Sequence, residues 1–543
     1  FRRALDFLPA ELYPVLIQAA VVDGRKFVVR DLGGTWPFPI LSFHWVLDYR
    51  ECHYDRPRRR RPIHLDDPKK SCMKAVILGV MAHLRRELEG PWHGTRRGRR
   101  FPPPSFQGFF SSPSERRCRL RVVDMTSLQT EDEENRVPDT LSSWSITDVL
   151  AKACIEVFKN HTAFLKRCSK QRKGSSGASA APRSIQVEVL ADLYVAGDID
   201  LVCDALRIAA VSPLCLKCRD FHAENLSFAH TLDLVQTLDP AGIRRLDLCF
   251  NDLDLRDLCG VLVHVTRFTD LLSLKISYAE EEPEMMATRA ELQGLSALLG
   301  RLTWLKELNL TCCKLSGKLR HALSEVQVPL ESLELPVCSL LPNDLAFLSQ
   351  SIHAPALKKL DLNYLNFSDA FLQPLRDLLE EASASLLHLD LTECRLTDSR
   401  LEALLPVLCR CSRLRCLGLC GNPLSSTVLK TLLQETVILR DLRLVYYPYP
   451  MDCRRQNLPP PPSASHCVLW HDMDQEHFAV VKAELRRMLV DSGRADIVWT
   501  DKFLNYKAVD YFVVQRSLEP SSCPEAPDEL QWLHRCAATL PSS

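Results

Sequence analysis

A leucine pattern that returns every 25 to 34 residues restricts this chain more than any other feature. The motif is L-x-x-L-x-L-x-x-(N/C)-x-L. It begins at Ile243, Leu271, Leu305, Leu330, Leu357, Leu386, Leu414 and Leu439, and its cleanest copy is Leu414, Leu417, Leu419, Asn422 and Leu424. Alternating leucines predict a short strand with one buried face. The segments between, such as Leu375–Ala382 and Leu401–Leu408, carry apolar residues at helical spacing. A strand and helix of this size cannot bury their apolar sides alone, so neighbouring copies must stack. The expected fold is therefore α/β: a leucine-rich repeat solenoid, a horseshoe with an inner parallel sheet and outer helices.

Twenty-two cysteines need a place in that scheme. Cys313, Cys338 and Cys394 stand at the turn position that Asn251 and Asn422 hold elsewhere. A thiol there is a small apolar body with a weak donor, so a structural role is expected. Cys215-x-x-Cys218-x-x-x-His222 looks like part of a zinc site, but a closed site needs four ligands. Leu214–Arg219 reads better as a degenerate repeat strand. With no secretory signal in the sequence, reduced thiols and a cytoplasmic or nuclear location are expected.

Between the second and third leucines, each strand points one residue away from the helices. These residues are Asp247, Lys275, Asn309, Glu334, Asp361, Asp390, Gly418 and Arg443, with Phe250, Tyr278, Tyr364 and Tyr446 close by at the strand ends. An acidic stripe edged by aromatics suits a basic segment of a protein partner. The competing reading is a solvated face with no chosen partner.

Outside the repeats the sequence changes character. Six segments are expected: an N-terminal helical docking or capping module at 1–53, an Arg/Pro-rich insert containing a short helix at 54–115, a pre-repeat region and linker at 116–185, the repeats at 186–450, a C-terminal cap at 451–516, and a flexible tail at 517–543. The insert holds Arg58–Arg61 and Arg99-Arg100, and Gly174–Pro182 reads as a linker. In the first segment Leu8, Leu12, Val15, Leu16 and Ala19 lie on one helical face. Pro14 must kink or restart that helix, and Trp36-Pro37-Phe38-Pro39-Ile40 must be extended or turned. Near the other end, Glu476–Val490 is an amphipathic helix suited to closing the last repeat.

The balance of charge narrows the function. Lys plus Arg equals Asp plus Glu, 68 each, which argues against a globally basic nucleic-acid binder. No apolar run approaches the roughly 20 residues that span a bilayer. Phosphate-loop, HExxH and GxSxG signatures are absent, so a non-catalytic protein-binding molecule without cofactor or metal is expected.

Leu8-Pro-Ala-Glu-Leu12, Asp31-Leu with Thr35-Trp-Pro-Phe-Pro39, and the repeats at Leu330–Leu335 and Leu386–Cys394 together resemble the PRAME family. That resemblance implies a cytoplasmic or nuclear solenoid, some of whose relatives serve as substrate receptors of cullin-2 ubiquitin ligases through elongins B and C. Docking there uses a short helix of the form small-Leu-x-x-x-Cys-x-x-x-aliphatic and then apolar-Pro-x-x-apolar. Trp36, Pro37 and Ile40 fit the second element, whereas the helix ending Leu16-Ile-Gln-Ala-Ala20 lacks the cysteine. Leu8, Pro9 and Leu12 also resemble the opening of an F-box, which docks a different cullin adaptor. The docking surface expected from these readings comprises Leu8, Pro9, Leu12, Leu16, Trp36, Pro37 and Ile40. A repeat scaffold that sequesters a signalling or transcription factor is the alternative.

Overall fold

The computed structural model describes residues 5, 8–43, 68–89, 119–126, 143–172, 185–197, 199–278, 288–455 and 470–501. The arginine runs, the Gly174–Pro182 linker and the 517–543 tail lie outside these residues. The chain forms two compact units, residues 1–353 and 354–543.

The first unit opens with helices α1 (Leu12–Val22) and α2 (Lys26–Gly33), followed by strand β1 (Ile40–Ser42), α3 (Pro68–Glu89), β2 (Val122–Met125) and α4 (Ser143–Arg172). Strand–helix alternation then becomes regular: β3 (Val187–Ala196), α5 (Asp200–Arg207), β4 (Leu214–Glu224), α6 (Phe228–Thr237), β5 (Arg245–Leu248) and α7 (Leu255–Val265). It continues through β6 (Ser273–Ile276), α8 (Arg289–Leu299), β7 (Glu307–Asn309), α9 (Leu319–Leu323), β8 (Ser332–Glu334) and α10 (Pro342–Ser349). Each strand pairs in parallel with the next in sequence. This neighbour-to-neighbour order is what stacked repeats require.

The second unit repeats the scheme with β9 (Lys359–Asp361), α11 (Leu372–Ala382), β10 (His388–Asp390), α12 (Asp398–Leu408), β11 (Cys416–Gly418), α13 (Ser426–Thr436) and β12 (Leu444–Tyr446). Helix α14 (Gln475–Asp491) then leads to a further parallel strand, β13 (Val498–Thr500). In both units the motif leucines fill the space between sheet and helices. Leu246, Leu308, Leu333, Leu360, Leu389 and Leu417 are all fully buried.

Three expectations change. The sheet begins at Ile40, far upstream of residue 186, because β1 and β2 pair with each other and with β3. Residues 68–89 form a long helix that packs on α2, so this part of the Arg/Pro-rich segment belongs to the N-terminal helical layer. Its apolar run buries Cys72, Val76, Val80 and Leu84. The last motif copy is also displaced. Leu417 pairs with Val445 and Gly418 with Tyr446, so that repeat runs Leu442, Val445, Tyr447 rather than Leu439, Leu442, Leu444. Arg443 therefore precedes the strand, and Tyr446 takes the position between the second and third apolar residues.

Candidate protein-interaction surfaces

The turn after each strand is built from backbone groups that the fold must satisfy. Asn251 accepts from Leu226 N at 3.0 Å through Oδ1 and donates Nδ2 to Ala223 O and Leu248 O at 2.8 and 3.0 Å. Asn422 repeats the arrangement with Leu396 N, Leu391 O and Leu419 O at 2.9, 2.8 and 2.7 Å. At two of the positions where cysteine replaces asparagine the thiol takes over the donation across repeats, Cys338 to Leu310 O at 2.9 Å and Cys394 to Leu362 O at 3.1 Å, while Cys313 reaches Thr311 O in its own turn at 3.7 Å. The amide that asparagine's oxygen would accept is met by the cysteine's own carbonyl. Leu315 N reaches Cys338 O at 3.0 Å, and Phe367 N reaches Cys394 O at 3.3 Å. These thiols are buried, and burial raises the pKa of Cys394 well above its ordinary value.

The carboxylates expected to form an acidic stripe have local duties as well. Asp247 Oδ1 accepts Cys249 N at 3.0 Å, Asp361 Oδ1 accepts Asn363 N at 2.9 Å, and Asp390 Oδ1 accepts Thr392 N at 3.0 Å. Asp124 and Asn309 do the same two residues ahead, at 3.0 and 2.8 Å. An Asx turn ends the strand at each of these places. Glu334 and Asp390 are buried, Glu334 accepting from Asn309 Nδ2 at 2.7 Å and Asp390 from Asn363 Nδ2 at 2.9 Å.

In the first unit the open face of the sheet is a mixed ionic network. Arg219 reaches Asp192 and Asp220 at 3.2 and 3.1 Å, and Lys275 lies 3.7 Å from Glu307. His222 lies 3.0 Å from Asp247 through Nδ1 and 3.5 Å from Glu224 through Nε2. Burial disfavours the imidazolium, but hydrogen bonds and charge from Asp247 and Glu224 outweigh it, and the His222 pKa is raised. In the second unit His388, on the same face of its own sheet, is pushed down to about 3 by burial, with Lys359 and Arg415 adding to the effect. Acidic, basic and neutral groups therefore share these faces, in place of a continuous acidic stripe.

A separate feature runs along the turns. Phe250, Cys312, Val337, Tyr364 and Glu393 all have φ between +55° and +61°, and Gly421 has +66° at the same repeat position. Only the glycine adopts this left-handed geometry without steric cost. The five larger side chains include three exposed apolar ones: Phe250 at 60%, Val337 at 44% and Tyr364 at 59%. Tyr278 and Tyr446, expected beside them, are only 3% exposed and so are not part of this exposed set.

The N-terminal module presents the other surface. Helix α1 buries Tyr13, Ile17, Ala20 and Val21. Its opposite stripe is exposed: Leu12 at 45%, Val15 and Val22 at 59%, and Ala19, with Pro9 exposed nearby and Leu8 and Leu16 half-buried. Pro14 causes no break, because α1 starts at Leu12 and proline in a first turn forfeits no helical hydrogen bond. Trp36 is not on this surface. Its ring packs edge-on to Tyr13 and Phe38 at 6.1 and 5.6 Å, and its Nε1 donates to Ile40 O at 2.9 Å. Large apolar area drives the indole inward, leaving Pro37 and Ile40 half-buried as the lead into β1. The expectation that Trp36 forms a docking contact is corrected accordingly.

Parallel strands, repeated left-handed turns and packed helices define a leucine-rich repeat protein of the interaction type. The chain belongs to the PRAME family: the model of the PRAME C-terminal domain matches residues 211–505. It is similar over nearly its whole length to leucine-rich repeat-containing protein 14 of several vertebrates. The Xenopus laevis relative is 43% identical over 515 residues, covering 94% of this chain and 96% of the relative. Those of Bos taurus and Homo sapiens are each 41% identical over 513 residues, with the same coverage. Among the described residues, no helix is long and apolar enough to cross a membrane.

Proposed function

We propose that this protein is a non-catalytic substrate receptor of a cullin-RING ubiquitin ligase of the cullin-2 and elongin B/C type. It would present protein substrates for proteasomal degradation in the cytoplasm or nucleus. The observation that carries this reading is the exposed apolar stripe of α1, outside the regular repeats and backed by a fully packed opposite face. A helix that only capped the first repeat would need no second apolar stripe; α1 buries Tyr13, Ile17, Ala20 and Val21 and also keeps Leu12, Val15, Ala19 and Val22 in solvent. The repeats supply the second surface. Phe250 and Val337 in one unit and Tyr364 in the other are exposed anchors for a protein substrate. Asp247, Asp361 and the lysine and arginine side chains near them set its charge preference.

The test is affinity purification of the tagged chain beside a Leu12→Asp/Val15→Asp variant, with thermal unfolding of both. Both positions are exposed, so an unchanged Tm is expected. Elongins and cullin-2 should accompany the parent and be lost from the variant. Equal recovery in both, or in neither, would overturn the reading. Loss of Skp-type adaptors instead would assign the same helix to the F-box route. Persistence of other partners without any ligase subunit would favour a sequestering scaffold.

A further inference from the structure

The C-terminal end of the second unit holds a ligand set that the repeat scheme does not require. After β12 the chain makes a single 3₁₀ turn at Met451–Cys453, and residues 454 and 473 form an isolated antiparallel bridge. Asp474 N donates to Cys453 O at 2.8 Å, and Arg455 N donates to Asp472 O at 3.0 Å. This pairing brings the first turn of α14 over the 3₁₀ turn. One ligand atom each from Asp452, Cys453 and His477 then lies within 4.8 Å of the others.

The three side chains differ in their commitments. Cys453 is fully buried, yet among the described residues its thiol has no hydrogen-bond partner. Other buried thiols divide: Cys338, Cys394 and Cys411 donate to carbonyls, whereas Cys154 and Cys416, like Cys453, have no hydrogen-bond partner among the described residues. Asp452 accepts from Ser426 N and Oγ at 2.7 and 2.5 Å, which leaves further lone pairs on each oxygen. His477 is exposed, and its backbone amide is held by Asp474 Oδ1 at 3.1 Å. Lys430, a cation on the neighbouring helix α13, is engaged by Glu484 at 2.8 Å.

We propose that Asp452, Cys453 and His477 bind a zinc ion that fastens the terminal helix to the last repeats. A thiolate, an imidazole and a carboxylate are zinc's preferred donors; with three protein ligands the site is open rather than closed, the fourth position being taken by water. Tetrahedral zinc with ligands at about 2.0–2.3 Å sets its donor atoms roughly 3.3–3.8 Å apart. The exposed His477 would supply the movement that closes the set, since Asp452 is held by Ser426. Binding displaces the thiol proton of Cys453 to solvent and leaves the metal's oxidation state unchanged. The ion would bridge the 3₁₀ turn, α14 and, through Asp452, the start of α13. This role is independent of any ligase partner.

The full chain, stripped with a chelator, is titrated with Co²⁺ and with Zn²⁺ in competition with a chromophoric chelator, while Tm is followed. One Co²⁺ per chain with a thiolate charge-transfer band is expected, and Zn²⁺ should displace it and raise Tm by several degrees. Cys453→Ser should abolish the band, and His477→Ala should weaken binding at least tenfold. Because His477 is exposed, its variant decides the matter even if Cys453→Ser fails to fold. A band of full strength and affinity in His477→Ala would overturn the proposal, as would the absence of tight stoichiometric binding in the parent.

Discussion

At the residue scale, the turn position that alternates between Asn and Cys shows how one backbone problem is solved twice. Asparagine satisfies both a donor and acceptors of adjoining turns, whereas cysteine donates and leaves the remaining amide to its own carbonyl. The two residues should therefore differ in what their removal costs. Asn422→Ala leaves Leu396 N and two buried carbonyls without those partners and is expected to destabilise the chain by about 3 kcal/mol. Cys394→Ala forfeits one weak donor and a small volume, with an expected cost of about 1 kcal/mol. Urea unfolding of both variants measures the difference; equal losses would show that packing, not hydrogen bonding, sets the value of this position. The cysteine's structural role was legible in the sequence because it recurs in register with asparagine. The Asx turns at Asp247, Asp361 and Asp390 were not, because leucine spacing locates a side chain without saying which amide it will accept.

At the scale of elements, α2 and α3 meet through glycine. A Cβ on Gly79 would stand 2.2 Å from Arg30 O, and one on Gly34 would stand 2.9 Å from Gly79 O. Arg86 Nη2 then reaches Gly34 O at 2.7 Å, closing the contact. Contact this close leaves no room for a methyl group, since the opposing atom is backbone and cannot rotate aside. Gly79→Ala is expected to cost about 1–3 kcal/mol despite its better helix propensity, and circular dichroism melts should show a lower Tm. An unchanged or higher Tm would mean that the two helices separate freely. The neighbour of residues 75–82 lies far upstream, where Gly33 of α2 stands against Val76, a pairing that local pattern does not carry. For the same reason Trp36 was expected outside. Only the three-dimensional proximity of Tyr13 and Phe38 gives its ring a place to go.

At the scale of the whole molecule, stacked repeats have the weakness that any terminal strand exposes unpaired edges. In the second unit, β13 pairs with β12, and α14 packs beside α13, burying Phe478, Val481, Leu485 and Leu489. Arg494 adds three donations to carbonyls at the end of the last repeat: Val437 and Leu439 at 2.9 Å and Leu442 at 2.8 Å. Truncation after Arg455 should therefore strip both the edge cover and these bonds. The expected outcome is a chain that elutes as aggregates in size-exclusion chromatography and unfolds with lower cooperativity. A monodisperse product with an unchanged unfolding midpoint would show that the last repeats close without a cap.

The amino-acid sequence by itself determined the repeat, the strand-and-helix alternation, the family and the boundaries of α14 to within a residue. These follow from local periodicity, which is written along the chain wherever a strand or helix buries one face. Tertiary structure alone decided which parts of the N-terminal segment are available to a partner. Leu12 and Ile17 are equally apolar, but one is 45% exposed and the other fully buried, because among the described residues only one side of α1 has neighbours. It also decided the true register of the last repeat and the convergence of Asp452, Cys453 and His477. Each depends on segments separated in sequence coming together, and local pattern carries no information about that.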